Sequence, residues 1–201
     1  TATDNCATPT INYTDSVVNG IGNNKVITRT WTATDTNSNT ATYSQTITVT
    51  DTQAPTISCP ATITANTSND GTGNCTTIVS LGTPTVSDNC ATVANIIITA
   101  KVGGVTINPT TYLFGIGTTT VVWTATDQNG NVSLPCNQTV TITDNEKPLV
   151  TAPNTIALQC PGELPLAATT ISAFNSLAGA SATDNCTATS GLTVSSSTII
   201  T

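Results

Sequence analysis

Apolar and polar residues alternate with period two along much of the chain, the spacing that turns one face of a β-strand inward. The clearest run is TTTVVWTATD (118–127), which sets Val121, Trp123 and Ala125 on one face. NQTVTITD (137–144) does the same with Val140 and Ile142. TISCPATITAN (56–66) predicts one or two strands, and CTTIVSLG (75–82) another. VANIIITAKVGG (93–104) predicts a strand that ends in a turn at Gly103-Gly104. DQNGN (127–131) has the composition of a turn between antiparallel strands. DTNSN (35–39) stands in the same place after an earlier run but lacks the glycine, so Asn is expected to take the left-handed backbone there. No stretch keeps a helical period, although PLAATTISAFNSLAG (165–179) has room for one short helix or turn. Six or seven short strands between residues 53 and 145 predict a β-sandwich.

The pattern recurs. RTWTATDTNSNTATYSQTITVTD (29–51) matches VVWTATDQNGNVSLPCNQTVTITD (121–144), pairing Trp31 with Trp123 and Asp51 with Asp144. TISCP (56–60) matches IALQCP (156–161), and Asp-Asn-Cys occurs at Asp4, Asp88 and Asp184. A period of roughly 90 to 100 residues indicates small repeated domains. The boundaries fall in TDTQAPTI (50–57) and TDNEKPLV (143–150), where a proline follows an alternating strand and ends the ladder. Residues 1–52 are then the C-terminal part of one unit, 53–145 a complete unit, and 146–201 the N-terminal part of a divergent third. Starting in mid-motif and stopping in a strand-like run, the chain reads as a piece of something longer.

Composition narrows the chemistry. Aromatic residues are 3% and charged residues 7% of the chain, with no histidine or methionine. The formal charge is -7, and Lys25, Arg29, Lys101 and Lys147 are the only cations, so nothing neutralises a nucleic-acid backbone. No apolar run approaches the length of a membrane-spanning helix. Without histidine there is no Ser-His-Asp arrangement and no His-based zinc site. The few acids are scattered among turns, so no enzyme is expected.

Seven cysteines without a CxxC pair predict disulfides and an oxidising, secreted or cell-surface setting. One core tryptophan per unit, Trp31 and Trp123, makes a thin core that disulfides would reinforce by about 2–4 kcal/mol each. The complete unit holds Cys59, Cys75, Cys90 and Cys136, which allow three connectivities. Pairing Cys59 with Cys90 and Cys75 with Cys136 carries over to Cys160 with Cys186, and leaves Cys6 unpaired within the chain. Cys59–Cys75 with Cys90–Cys136 strands Cys160. Cys59–Cys136 with Cys75–Cys90 strands Cys186. The first scheme leaves the fewest orphans and is the one expected.

The repeated Asp-Asn has two readings. Its side chains can close an Asx-turn that positions the cysteine. Alternatively, Asp88 and Asp184, with the linker acids Asp51, Asp144 and Glu146, can supply oxygen ligands to calcium. Seven ligand oxygens exceed what one linker holds, so neighbouring loops would have to contribute. Trp31 and Trp123 could stack on a sugar, but their strand positions favour a core role.

The string CPATITANT, PTVSDNC, YLFGIGTTTVVWTATDQNGN and TVTITDNEKP (59–148) resembles the hyalin repeat (HYR) and related bacterial Ig-like repeats. Two departures are NSN for NGN in the first unit and the stretch between Cys160 and Asp184. The resemblance implies tandem, disulfide-stapled, all-β Ig-like sandwiches in a large secreted or surface adhesin, of the kind found in Bacteroidota. It implies a structural role in a stalk or fibre, with neighbouring repeats of the same protein as partners, or homopolymeric filament contacts. The alternative is a calcium-assisted module that binds carbohydrate or protein.

Overall fold

A computed structural model describes residues 1–67, 74–159 and 165–196. The described strands begin with β1 (Thr10–Asn19), β2 (Lys25–Thr34), β3 (Thr40–Val49), β4 (Thr56–Ser58) and β5 (Ile63–Asn66). They continue with β6 (Thr76–Ile78), β7 (Thr85–Ser87), β8 (Ile97–Val102), β9 (Val105–Ile107) and β10 (Leu113–Gly115). The last are β11 (Gly117–Thr126), β12 (Cys136–Thr143), β13 (Leu149–Thr151) and β14 (Ser181–Thr183), with one short helix, α1 (Ile171–Asn175). Between residues 53 and 145 lie nine described strands rather than six or seven. β7, β9 and β10 are the additions: three residues is too short a run for alternation to register. One sheet has the order β5-β12-β11-β8-β9. Among the described residues the fold is predominantly β and carries two disulfides.

The chain divides into two compact units. The first comprises residues 1–60, 82–107 and 121–138. In it β1, β2 and β3 form an antiparallel sheet in which Tyr13, Trp31 and Tyr43 stand in one cross-strand row. The neighbouring face of that sheet is a ladder of Thr and Ser, which β-branching and hydroxyls suit to a wet pleated surface. β4 pairs with β7 so that Ile57 faces Val86, and both pack against Ala91, Ile96 and Ala125. Val121, Trp123 and Ala125 on β11 are buried, as their alternation requires. Trp31 is only half-buried, contrary to the expected core role. No residue of β1–β3 is buried.

The second unit comprises residues 61–81, 108–120 and 139–201. β12 and β5 run parallel, with Val140 opposite Ile63, and β6 pairs with β10. Phe114, Val140 and Ile142 are buried, and each such side chain stabilises the fold by roughly 1.5–3 kcal/mol. Tyr112 meets Phe114 edge-on at 4.7 Å. β13 pairs with β14. Helix α1 lies within the stretch where a short helix was expected; Thr170 Oγ1 caps it by accepting from the Ala173 N–H at 3.1 Å.

The disulfides differ from the expected scheme. Cys59 bonds Cys136, with Cα atoms 5.7 Å apart, and Cys75 bonds Cys186 at 5.1 Å, both inside the bridging range. Cys90 is free, as is Cys6. The elimination failed because it required each repeat to close its own bridges, whereas Cys75 and Cys186 lie 111 residues apart. Cys160, and the strand expected at the end of the chain, lie outside the described residues.

Candidate metal centre

Asp88 closes the turn that the sequence predicted. Its Oδ1 accepts from the Cys90 N–H at 2.8 Å and the Ala91 N–H at 2.7 Å. Asp4 Oδ1 takes the Cys6 and Ala7 N–H groups in the same way, and Asp184 Oδ1 those of Cys186 and Thr187. The repeated Asp-Asn-Cys is therefore one Asx-turn built three times. It explains only one oxygen of Asp88: Oδ2 is buried and has no hydrogen-bond partner.

That oxygen belongs to a cluster. One carboxylate oxygen each from Asp51, Asp88 and Asp127 lie within 4.8 Å of one another. Asp51 is 8% exposed and Asp127 4%. At such a distance each pair of charges repels by roughly 3 kcal/mol at an effective dielectric of about 20. The ion pair recorded among the described residues, Arg29 with Asp15, lies within the β1–β2 pair, so no lysine or arginine is recorded pairing with the cluster.

Local structure holds the three acids rigidly. Asp127 follows directly on β11, and its Oδ1 accepts from the N–H groups of Asn129 and Asn131 at 2.8 and 2.9 Å. Asn131 Nδ2 donates to Asp127 Oδ2 at 2.8 Å and to the Asp51 carbonyl at 3.3 Å. Burial opposes ionisation of Asp127, but the bonds from Asn131, Asn129 and Gly130 outweigh it and hold its carboxyl below the usual range. Asp51 Oδ1 accepts from the Gln53 N–H at 3.0 Å, and its Oδ2 from Asn129 Nδ2 at 3.1 Å. Asn24 joins the set, accepting from the Asp51 N–H at 2.9 Å and donating to Asn129 Oδ1 at 2.8 Å. Asn129 also reaches the Gly22 carbonyl, and a Cβ on Gly22 would overlap the Asn129 carboxamide; its φ of 63° also suits glycine. Cys90 records the local field: burial first, then the charges of Asp51, Asp88 and Asp127, push its thiol up. A protonated thiol there is neither a thiolate ligand nor a nucleophile.

Asp144, Glu146 and Asp184 stand in a second set. Asp144 Oδ1 accepts from the Glu146 N–H at 3.1 Å, as Asp51 does from Gln53. Thr187 Oγ1 donates to Asp144 Oδ2 at 3.2 Å, and Asn185 Nδ2 to Glu146 Oε2. Glu146 Oε1 is buried without a partner. Among the described residues the three-carboxylate cluster is Asp51, Asp88 and Asp127 alone, so this second set is not closed in the same way. Sequence reasoning missed Asp127 because a turn already accounted for DQNGN. The signal was the alternation Asp127, Asn129, Asn131, which puts three oxygen-bearing side chains on one loop.

The oxygens that converge in the first set are those of three carboxylates, with one orphaned oxygen among them. That is the chemistry of a hard divalent cation, which takes six to eight oxygen ligands when it is calcium. The arrangement has no paired acid and base and no nucleophile with a neighbouring base.

Residues 50–142 match the model of the HYR domain. Of solved structures, the chain is similar to the protocadherin gammaB7 EC3-6 cis-dimer at 12% identity and a TM-score of 0.33, covering 90% of this chain and 52% of that one. It is also similar to the protocadherin gammaB4 extracellular domain at 15% identity and a TM-score of 0.31, covering 73% and 29%. The chain thus spans about half of the first and under a third of the second. No curated protein matches the sequence. No described helix is long and apolar enough to cross a membrane.

Proposed function

We propose that the chain is a structural stretch of a secreted or surface protein, in which HYR-type domains follow one another as a stalk or fibre. In this reading residues 1–52, 53–145 and 146–201 belong to three successive repeats. The observation that carries it is the reuse of one construction. Trp31 Nε1 donates to Gln45 Oε1 at 3.2 Å, and Trp123 Nε1 to Gln138 Oε1 at 3.0 Å, each across the strand pair that precedes a predicted boundary. The Asx-turn occurs three times. The work of such an array is mechanical and spatial, and neighbouring repeats are its first partners.

Calcium at Asp51, Asp88 and Asp127 would join the linker acid of one repeat to two loops of the next. It would neutralise the mutual repulsion and satisfy Asp88 Oδ2. A cation bound only by the folded chain stabilises it by mass action. Thermal unfolding with calcium or with chelator tests this: a rise in Tm with calcium that Asp88→Asn abolishes is the expected result. An unchanged Tm across the titration removes the cation from the proposal. Electron microscopy of the native protein tests the array, which should be a beaded rod; a compact particle would end that reading.

The alternative, a binding module, has one observation in its favour. Tyr13, Trp31 and Tyr43 form an aromatic row on a face with no buried residue, and Arg29 lies 4.1 Å from the Tyr13 ring centre. Trp123, in the matching position, is buried, which favours packing over ligand capture.

A further inference from the structure

The two disulfides cross. Cys59, Cys75, Cys136 and Cys186 follow one another along the chain, and the bonds join the first to the third and the second to the fourth. Neither loop encloses the other, so the bridges offer tension a covalent route much shorter than the backbone. A pull that enters before Cys59 and leaves after Cys186 has three routes. The backbone covers 127 residues between those two points. Crossing at Cys59–Cys136 and continuing to Cys186 covers 50. Following the chain from Cys59 to Cys75 and crossing there covers 16. The shortest route becomes taut first and carries the load.

Little of the fold lies on that route. Between Cys59 and Cys75 the described strand is β5, four residues paired with β12 from Ile63–Val140 to Asn66–Thr143. Its hydrogen bonds are far weaker than any covalent bond, so it yields before the route is taut. The bypassed residues 76–185 hold β6 to β14, the bond from Trp123 to Gln138, and the carboxylates of Asp88 and Asp127. The linker at residues 143–150 is bypassed as well, so a covalent bond spans a predicted repeat boundary.

We infer that the crossed bridges act as an extension stop across the junction of two repeats. Under tension the stretch from Cys59 to Cys186 lengthens to about 60 Å, set by residues 59–75, instead of the roughly 440 Å of the open backbone. Residues 76–185 are not drawn out. The Cys59–Cys136 bridge is a second stop, which takes the load when Cys75–Cys186 is opened. The inference deepens the stalk reading and takes from it the source of the tension; the covalent route needs only the two bridges.

Single-molecule force spectroscopy of the 201-residue chain, held by tags at its two ends and pulled to full extension, tests this. Alkylating the free thiols beforehand prevents their exchange with the bridges. Reduction with dithiothreitol should lengthen the extended parent by 111 residues, about 380 Å. Replacing Cys75 and Cys186 together by Ala should lengthen it by 34 residues, about 120 Å, because the route then runs through Cys59–Cys136. Replacing Cys59 and Cys136 together by Ala should leave the length unchanged. These lengths are read at full extension, so they do not require a variant to fold, and peptide mapping verifies the bridge left in each. An unreduced parent that extends as far as the reduced one overturns the inference. So does a Cys59/Cys136 variant longer than the parent, which would put that bridge on the taut route. A compact native particle in the microscope would end the array reading and leave these lengths as they are, so the two failures are told apart.

Discussion

The indole Nε1–H of Trp123 donates to Gln138 Oε1 at 3.0 Å, and both side chains are buried, Gln138 at 1% exposure. The same bond links Trp31 to Gln45 where water reaches both. Removing a buried acceptor leaves the indole N–H unsatisfied and costs about 1–3 kcal/mol, while an exposed donor turns to water. Gln138→Ala should therefore lower the unfolding free energy by about 2 kcal/mol or more once lost packing is added, and Gln45→Ala by under about 0.5 kcal/mol. Urea unfolding of the two variants checks this, and equal effects would remove the buried bond from the account of stability.

Ser38 occupies the place of Gly130. Both have positive φ, 67° and 87°, so it is Ser38 rather than an Asn that takes the left-handed backbone of the DTNSN turn at that position. A side chain there costs about 1 kcal/mol, which glycine avoids. Ser38→Gly should stabilise the chain by roughly 0.5–1 kcal/mol, and Gly130→Ser should destabilise it by a similar amount. Thermal unfolding of both variants measures the difference.

The bridges are open to direct mapping. Proteolysis without reduction should release one peptide joining Cys59 to Cys136 and another joining Cys75 to Cys186, with Cys90 modified by a thiol reagent after unfolding. A Cys59–Cys90 peptide would restore the scheme expected from the sequence. Replacing Cys59 and Cys136 together by Ala, which opens a 77-residue loop, should cost about 2–4 kcal/mol.

Asp184 gives a pH dependence outside the three-carboxylate cluster. The N–H of Thr187, then that of Cys186, hold its carboxyl below the usual range. Because the folded value is the lower one, its contribution is fully present above the unfolded value near ~3.9 and is lost as pH falls through the folded value. Asp184→Asn keeps an acceptor oxygen but no charge. Its stability should decline less steeply than that of the parent between about pH 4 and pH 2. Parallel slopes in acid unfolding would show that the turn does not depend on the charge.

Alternation placed Val121, Trp123, Ala125, Val140 and Ile142 correctly, because a strand's side chains must take opposite faces whatever packs on them. It could not place Trp31, whose half-burial depends on whether another layer lies over its sheet. The Asx-turn was legible in Asp-Asn-Cys because the bond spans only two or three residues. Asp127 was not legible as a partner of Asp51 and Asp88, since their meeting depends on how the loops after β7 and β11 fold back beside the segment after β3.

By itself the sequence determined the strand-forming runs, the three Asx-turns, the short helix near residue 171 and the lack of histidine-based chemistry. Each follows from local covalent structure and composition. Only the tertiary structure decided which cysteines meet, which tryptophan is covered and which three carboxylates converge. Those depend on contacts between segments 37 to 111 residues apart, whose separation no local spacing encodes.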